Sequence, residues 1–95
     1  MLIIAGHVTI DPTQRDTYIA AHHDLIRRAR HAPGCLDGAI TPDPNDPTRI
    51  YVYERWETRD QLTTWRDTCD APHTGIPIDA THVREYTIAA ERPVF

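Results

Sequence analysis

Two side chains suited to binding an aromatic ligand lie one helical turn apart in the second half of the chain. Trp65 presents a flat apolar surface with one N–H donor, which can hold a ring and donate to a carbonyl or phenolate oxygen. Gln61 lies four residues earlier, so both side chains can meet on one helix face and the amide can hydrogen-bond to a phenol. Each also has a structural interpretation, Trp65 as a core residue and Gln61 as the partner of a helix-capping Thr58.

Three polar side chains alternate near the C-terminal end of the chain, namely His82, Arg84 and Tyr86. Successive residues of a strand point to opposite faces, so these three share one face of the strand that contains them. A guanidinium on a sheet face requires a counter-charge or a polar ligand. We therefore expect Arg84 either to pair with Glu54, across the sheet or a dimer interface, or to face a polar ligand.

His7 supplies a group that titrates near neutral pH and can act as a base. The alternative is a half-buried histidine whose ring nitrogens are satisfied by neighbouring groups. Only His22 and His23 are adjacent among the six histidines, and consecutive helical residues do not converge on one metal ion. No Cys/His spacing matches a zinc site, and the four glycines form no dinucleotide-binding GxGxxG loop. The sequence predicts neither a metal nor a flavin or nicotinamide cofactor.

Composition limits the partners and the compartment. The 95 residues are expected to form one domain, with 91–95 as a C-terminal tail, and they carry a net charge of −4. Arg27, Arg28 and Arg30 make the one basic cluster, interpreted as the solvated end of a helix, so neither nucleic acid nor an anionic membrane is expected as a partner. No apolar run approaches the ~20 residues that span a bilayer, and no signal peptide is recognisable. The cytosol is the expected compartment, with both cysteines reduced.

Hydrophobic periodicity and turn residues predict four strands and two helices. The strands are expected at Leu2–Ile10, Cys35–Thr41, Arg49–Glu57 and Thr81–Ala89. Between the second and third lies a proline-rich loop, and residues 70–77 are expected to be irregular.

The two helices carry capping signals at their starts. Asp11 is expected to cap the first helix, with Pro12 at its first position and Gln14 completing a capping box. Its inward stripe is Tyr18, Ile19, His22, Leu25, Ile26 and Ala29, and it ends at Ala32-Pro33-Gly34. Thr58 is expected to cap the second helix, whose inward stripe is Leu62, Trp65 and Cys69.

The order β-α-β-β-α-β predicts an α+β, ferredoxin-like fold, in which a four-stranded antiparallel sheet carries both helices on one face. The helix-free face of the sheet is then expected to pack against another layer, because neither set of strand side chains is uniformly charged as a solvent-exposed face would be. The sheet of a second copy of the chain could supply that layer, so the sequence predicts a homodimer.

Three segments resemble the antibiotic biosynthesis monooxygenase family. Tyr51–Thr58 is similar to its tyrosine-glutamate-x-tryptophan-glutamate strand end running into the second helix. Ala32–Leu36 is similar to its proline-glycine start of strand two, and Asp46–Arg49 together with Asp43 to its aspartate-proline hairpin loop. The resemblance extends from Met1 to about Tyr86.

This resemblance implies a dimeric α/β barrel with a ligand cavity in each subunit between helices and sheet. Family members include cofactor-free monooxygenases that oxidise phenolic polyketides to quinones, haem-degrading enzymes and proteins without a demonstrated activity. Many members place a histidine nine residues after the signature tryptophan, where this chain has Trp65. Tryptophan at that position is similar to some anthrone-oxidising and haem-degrading members.

The resulting prediction is a cofactor-independent monooxygenase that oxidises a phenolic, anthrone-type or hydroquinone small molecule to a quinone with dioxygen. Trp65 and Gln61 would position the ring, and the resemblance implies that Arg84 stabilises a negative oxygen while His7 or Tyr53 moves protons. Tyr53, Leu62, His82 and Tyr86 are the expected substrate-binding residues. One alternative is haem binding and degradation through Trp65, His7 and His73. A non-catalytic, dimeric ligand-binding protein is the other.

Overall fold

Seven elements follow one another along the 95 residues, all of which the computed structural model describes. They are β1 (Leu2–Ile10), α1 (Arg15–Ala21), α2 (His23–Ala29), β2 (Cys35–Pro42), β3 (Arg49–Trp56), α3 (Arg59–Thr68) and β4 (Ile78–Thr87). The strands form one antiparallel sheet in the spatial order β2-β3-β1-β4. This is the ferredoxin-like arrangement that the order of elements predicted, with its first helix divided in two.

The register of the sheet assigns each strand residue to one of two faces. In β1 the even-numbered side chains point to the helices, and Leu2 pairs with Trp56 of β3 on that face. Leu2, Ile4, Trp56 and Leu62 of α3 form the buried core there, each at most 6% exposed. The odd-numbered residues of β1 point the other way. We call that side, which carries no helix, the open face.

The first helix begins later than predicted and is interrupted. Asp11 Oδ1 accepts hydrogen bonds from the backbone N–H and the hydroxyl of Thr13, at 2.8 and 2.7 Å, so its carboxylate stabilises a turn and not the helix start. The helix then breaks at His22, whose ring Nδ1 lies 2.7 Å from the Tyr18 carbonyl. An α-helix would bond that carbonyl to the His22 N–H, which instead reaches the Ile19 carbonyl at 3.0 Å.

The second predicted helix begins where expected. Thr58 Oγ1 accepts from the Gln61 backbone N–H at 3.2 Å and donates to Gln61 Oε1 at 3.0 Å. Gly34 makes room for this arrangement, because a Cβ there would lie 2.1 Å from Gln61 Oε1. Its φ of 84° also lies in the left-handed region that favours glycine.

The last strand is shifted toward the N-terminus relative to the prediction of Thr81–Ala89. It spans Ile78–Thr87, because its only neighbour is β1 and that strand ends its pairing at Leu2 opposite Thr87. None of the three helices is long and apolar enough to cross a membrane.

Candidate functional site

A cavity of about 260 Å³ lies between the helices and the helix-facing side of the sheet. Most of its lining is apolar and comes from α1, α2 and the strands β2 and β3. The residues that give it this character include Leu25, Ile26, Ala29, Ile40, Ile50 and Val52. A mainly apolar concavity with a few polar groups is typical of small-molecule sites. The polar groups that line this cavity are therefore the residues of chemical interest.

Tyr18 lines the cavity from α1, and His22 lines it from the helix break itself. Their rings are stacked, with centroids 4.2 Å apart. A carbonyl oxygen only accepts, so the 2.7 Å contact with the Tyr18 carbonyl assigns the proton of neutral His22 to Nδ1. This leaves Nε2 as an unprotonated acceptor. Burial raises the pKa of Tyr18, so its phenol remains a neutral donor over a wider pH range.

Glu54 lines the same cavity from β3. It is half-buried and accepts a hydrogen bond from Trp56 Nε1 at 3.1 Å, but it forms no ion pair. Cys35, Arg66 and Cys69 also line the cavity, and burial, with a smaller contribution from the Glu54 charge, raises the pKa of the Cys35 thiol. The site thus holds one acidic side chain without an ion pair and a thiol that stays protonated at neutral pH.

Trp65 is half-buried and separates this cavity from a second, smaller one. Its ring centroid lies 6.5 Å from that of Trp56 and 5.8 Å from the guanidinium carbon of Arg28. Gln61 lines only the smaller cavity, of about 210 Å³, and its side chain is held by Thr58. Trp65 therefore occupies the position that a ring-binding wall requires, whereas Gln61 faces a different space.

Leu62 was predicted to bind substrate but belongs to the core. Its side chain is 1% exposed, packs with Leu2, Ile4 and Trp56, and lines neither cavity. An inward stripe on a helix has both core-facing and cavity-facing members, and the spacing alone does not distinguish them.

The remaining predicted site residues lie together on the open face, which is the opposite side of the sheet from the cavity. His7 pairs with His82 across β1 and β4, and their ring centroids are 4.9 Å apart. Ala5 lies between Tyr53 and Arg84, and Ile3 pairs with Tyr86, so these side chains share the same face. Desolvation, followed by the charges of Arg49 and His82, lowers the pKa of His7. The sheet thus separates this group from Trp65.

This separation bears on three sequence predictions. Within one chain Arg84 forms no ion pair with Glu54, because Glu54 pairs with Ile4 and points to the helices while Arg84 points to the open face. His7, Tyr53 and Arg84 do not line the cavity, and their expected roles toward a substrate stay predictions. The haem set also fails to converge, because His7 lies on the open face and His73 is exposed in the irregular segment 70–77.

Tyr18, His22 and Glu54 were not predicted as site residues, although the sequence carries a signal for each. Tyr18 and His22 are the two polar members of an otherwise apolar helix stripe, spaced i and i+4. Glu54 shares strand parity with the buried Trp56, which is unusual for a carboxylate. A polar residue on a face that the apolar pattern already assigns to the interior is a stronger sign of a functional site than a polar residue whose face is not known.

Comparison with known proteins agrees with the architecture. A family model described as "Antibiotic biosynthesis monooxygenase" matches residues 1–75. A candidate antibiotic biosynthesis monooxygenase structure from Deinococcus radiodurans has a TM-score of 0.83 and 13% identity, covering 100% of this chain and 99% of that one. One from Chloroflexus aurantiacus has a TM-score of 0.75 and 24% identity, covering 99% and 98%. At these identities the structures establish the fold alone.

A curated relative has no assigned activity. An uncharacterized protein of Synechocystis sp. is 25% identical over 61 residues, which is 64% of this chain and 42% of that protein. The chain thus spans less than half the length of this relative.

Proposed function

Because this chain belongs to the antibiotic biosynthesis monooxygenase family, we propose that it oxidises a phenolic, anthrone-type or hydroquinone small molecule to a quinone with dioxygen. Family membership and fold support a monooxygenase or ligand-binding role in general. The observation that carries the finer proposal is the free Nε2 of His22 beside an apolar cavity walled by Trp65.

The dimensions of the cavity suit a small aromatic molecule. A cavity of ~150 Å³ holds benzene, so about 260 Å³ accommodates a compact fused-ring system. Trp65 offers its indole face for stacking, and the aliphatic side chains of α2 and β3 enclose the rest of the ring. Binding of this kind fixes the orientation of the reacting carbon or hydroxyl relative to His22.

In the proposed reaction His22 Nε2 accepts a proton from the bound ligand. The resulting anion is electron-rich and can reduce dioxygen itself, so no cofactor is part of the proposal. Tyr18 is the neutral donor available to stabilise the negative oxygen. For an anthrone, the methylene carbon gains one oxygen atom as a carbonyl and the other oxygen atom leaves as water. One anthrone and one dioxygen thus give one anthraquinone and one water.

The haem alternative has less support. A cavity of about 260 Å³ lies below the ~300–1,000 Å³ of sites for drug-sized ligands, and a haem group is larger than most such ligands. His7 and His73, two of the three residues on which this alternative rested, lie outside the cavity.

Oxygen uptake with dithranol, an anthrone, tests the proposal. We expect saturable uptake above the rate of dithranol autoxidation, with one dioxygen consumed per molecule. His22→Gln should lower that rate by about 10²- to 10⁴-fold, as the loss of a general base does elsewhere. His73→Gln is the matched control, because it replaces an exposed histidine outside the cavity, and its rate should be unchanged. Saturable binding without any oxygen uptake would instead assign a non-catalytic ligand-binding role.

A further inference from the structure

An open groove of about 380 Å³ adjoins the apolar cavity on the outer side of α2. Its polar lining is His23, Arg27, Arg30 and His31, which lie at helical spacing on one face of α2 and just beyond its end. Ile26 and Ile40 complete the lining, and these two residues also line the cavity. Cavity and groove therefore share a wall, and a ligand in one lies next to the other.

The groove is positively charged in a chain that is negative as a whole. The net charge of the chain is −4, yet two arginines and two histidines line the groove and no carboxylate does. Asp24 compensates part of this charge, because it forms one ion pair with Arg27 and another with Arg28. Arg30 forms no ion pair. The charge of this cluster is thus only partly neutralised.

Backbone contacts hold two of these side chains in place. Arg30 Nε donates to the Gly38 carbonyl at 2.8 Å, which fixes the guanidinium against β2 and leaves its two NH₂ groups free. His31 Nδ1 lies 3.0 Å from the Arg27 carbonyl, so its Nε2 faces other partners and can donate to an anion only when the ring carries both protons. A fixed guanidinium binds carboxylate, sulfonate or phosphate oxygens with little further ordering.

We propose that the ligand of the cavity is an aromatic molecule with an anionic substituent, and that this substituent lies in the groove against Arg27 and Arg30. The ring occupies the apolar cavity, and the anion extends past Ile26 and Ile40. This inference rests on the proposed function, which places an aromatic ring in the cavity. It adds that the ligand carries a negative charge, by which the protein distinguishes it from neutral phenols. Hydroxyaryl carboxylates are the simplest members of the class.

Calorimetric titration with 2-naphthol and 6-hydroxy-2-naphthoate tests the inference, because the two ligands share a ring system and a phenol and differ by one carboxylate. We expect the carboxylate to bind at least about tenfold more tightly at low salt, since charge-assisted hydrogen bonds carry the difference. Added salt should reduce that preference. In Arg27→Gln/Arg30→Gln the preference should disappear while 2-naphthol binds as before. Arg59→Gln is the matched control, because Arg59 is an exposed, ion-paired arginine outside the groove, and it should keep the preference.

A second variant guards against misfolding from loss of the Gly38 contact. Arg27→Gln/His31→Gln leaves Arg30 in place and should lower the preference severalfold. If the wild-type protein bound both ligands with equal affinity, the proposal of an anionic substituent would be wrong and the proposed function would be unaffected. Retention of the preference in both variants would contradict the placement of the anion in the groove. Loss of the preference in Arg66→Gln but not in the groove variants would contradict it too, and would assign the anion to Arg66, the arginine that lines the cavity. Binding of neither ligand would overturn both proposals.

Discussion

At the residue scale, Trp65 has packing partners on part of its surface and open space on the rest. The centroid of the Trp56 ring lies 6.5 Å from that of Trp65, and the Trp65 side chain lines two cavities. We expect Trp65→Phe to lower the free energy of unfolding by less than about 1 kcal/mol, because the lost atoms leave little new void. Trp56→Phe, at a position with 0% exposure, should cost about 1–3 kcal/mol. Urea denaturation measures both values.

Ligand binding separates the two tryptophans independently. An aromatic ligand such as 2-naphthol should quench the emission of Trp65 in a saturable way, and the change should survive in Trp56→Phe and vanish in Trp65→Phe. Quenching that persists without Trp65 would place the ligand elsewhere.

Residue chemistry was easier to predict from the sequence than residue position. The indole of Trp65 was interpreted as either a ring-binding wall or a core residue, and the structure places it at the wall of the cavity and against the core. Arg84 and His7 have suitable chemistry too, but their face depends on which strands pair and in what register. That register is set by contacts between residues far apart in sequence, so local patterns do not contain it.

At the element scale, the start of α3 depends on Thr58. Its hydroxyl accepts from the Gln61 N–H at 3.2 Å, one of the helix donors without an intrahelical partner. Thr58→Ala should therefore lower the free energy of unfolding by about 1 kcal/mol. Thr63→Ala, at an exposed position inside the same helix, should leave stability unchanged or raise it slightly, because alanine is the better helix former. Equal urea midpoints for the two variants would contradict a role for the cap.

Element boundaries were predicted well wherever one local signal determined them. β1 has the predicted bounds, and α3 starts at its predicted cap. The break at His22 was missed, because it arises from a side chain that competes for a backbone carbonyl, and hydrophobic spacing does not report that competition. The same break brings the ring of Tyr18 against that of His22.

At the scale of the whole molecule, the open face carries aromatic and charged side chains without a covering layer. Tyr51 and Tyr86 are 41% and 52% exposed on it. We propose that a second copy of the chain covers this face. Sedimentation at micromolar concentration should give about twice the chain mass, since a patch of this kind marks an association surface. Ala5→Asp, between Tyr53 and Arg84 at the middle of the face, should yield monomers.

The control for this assembly is Ala20→Asp, which adds the same charge at an exposed position on α1. It should sediment like the unmodified protein. A monomeric wild-type chain that melts cooperatively would contradict the dimer.

The contact between Gly34 and Gln61 joins two positions whose substitutions are not independent. A methyl group at residue 34 would occupy the space of the Gln61 side chain, so the harm done by that change depends on what stands at residue 61. A shorter side chain at 61 relieves the overlap with Gln61 Oε1 but also gives up the bond to Thr58. Residue 61 therefore modulates the cost of a change at residue 34 but does not remove it, because the φ of 84° strains any side chain there and the added Cβ would still lie 2.8 Å from the Cβ of residue 61.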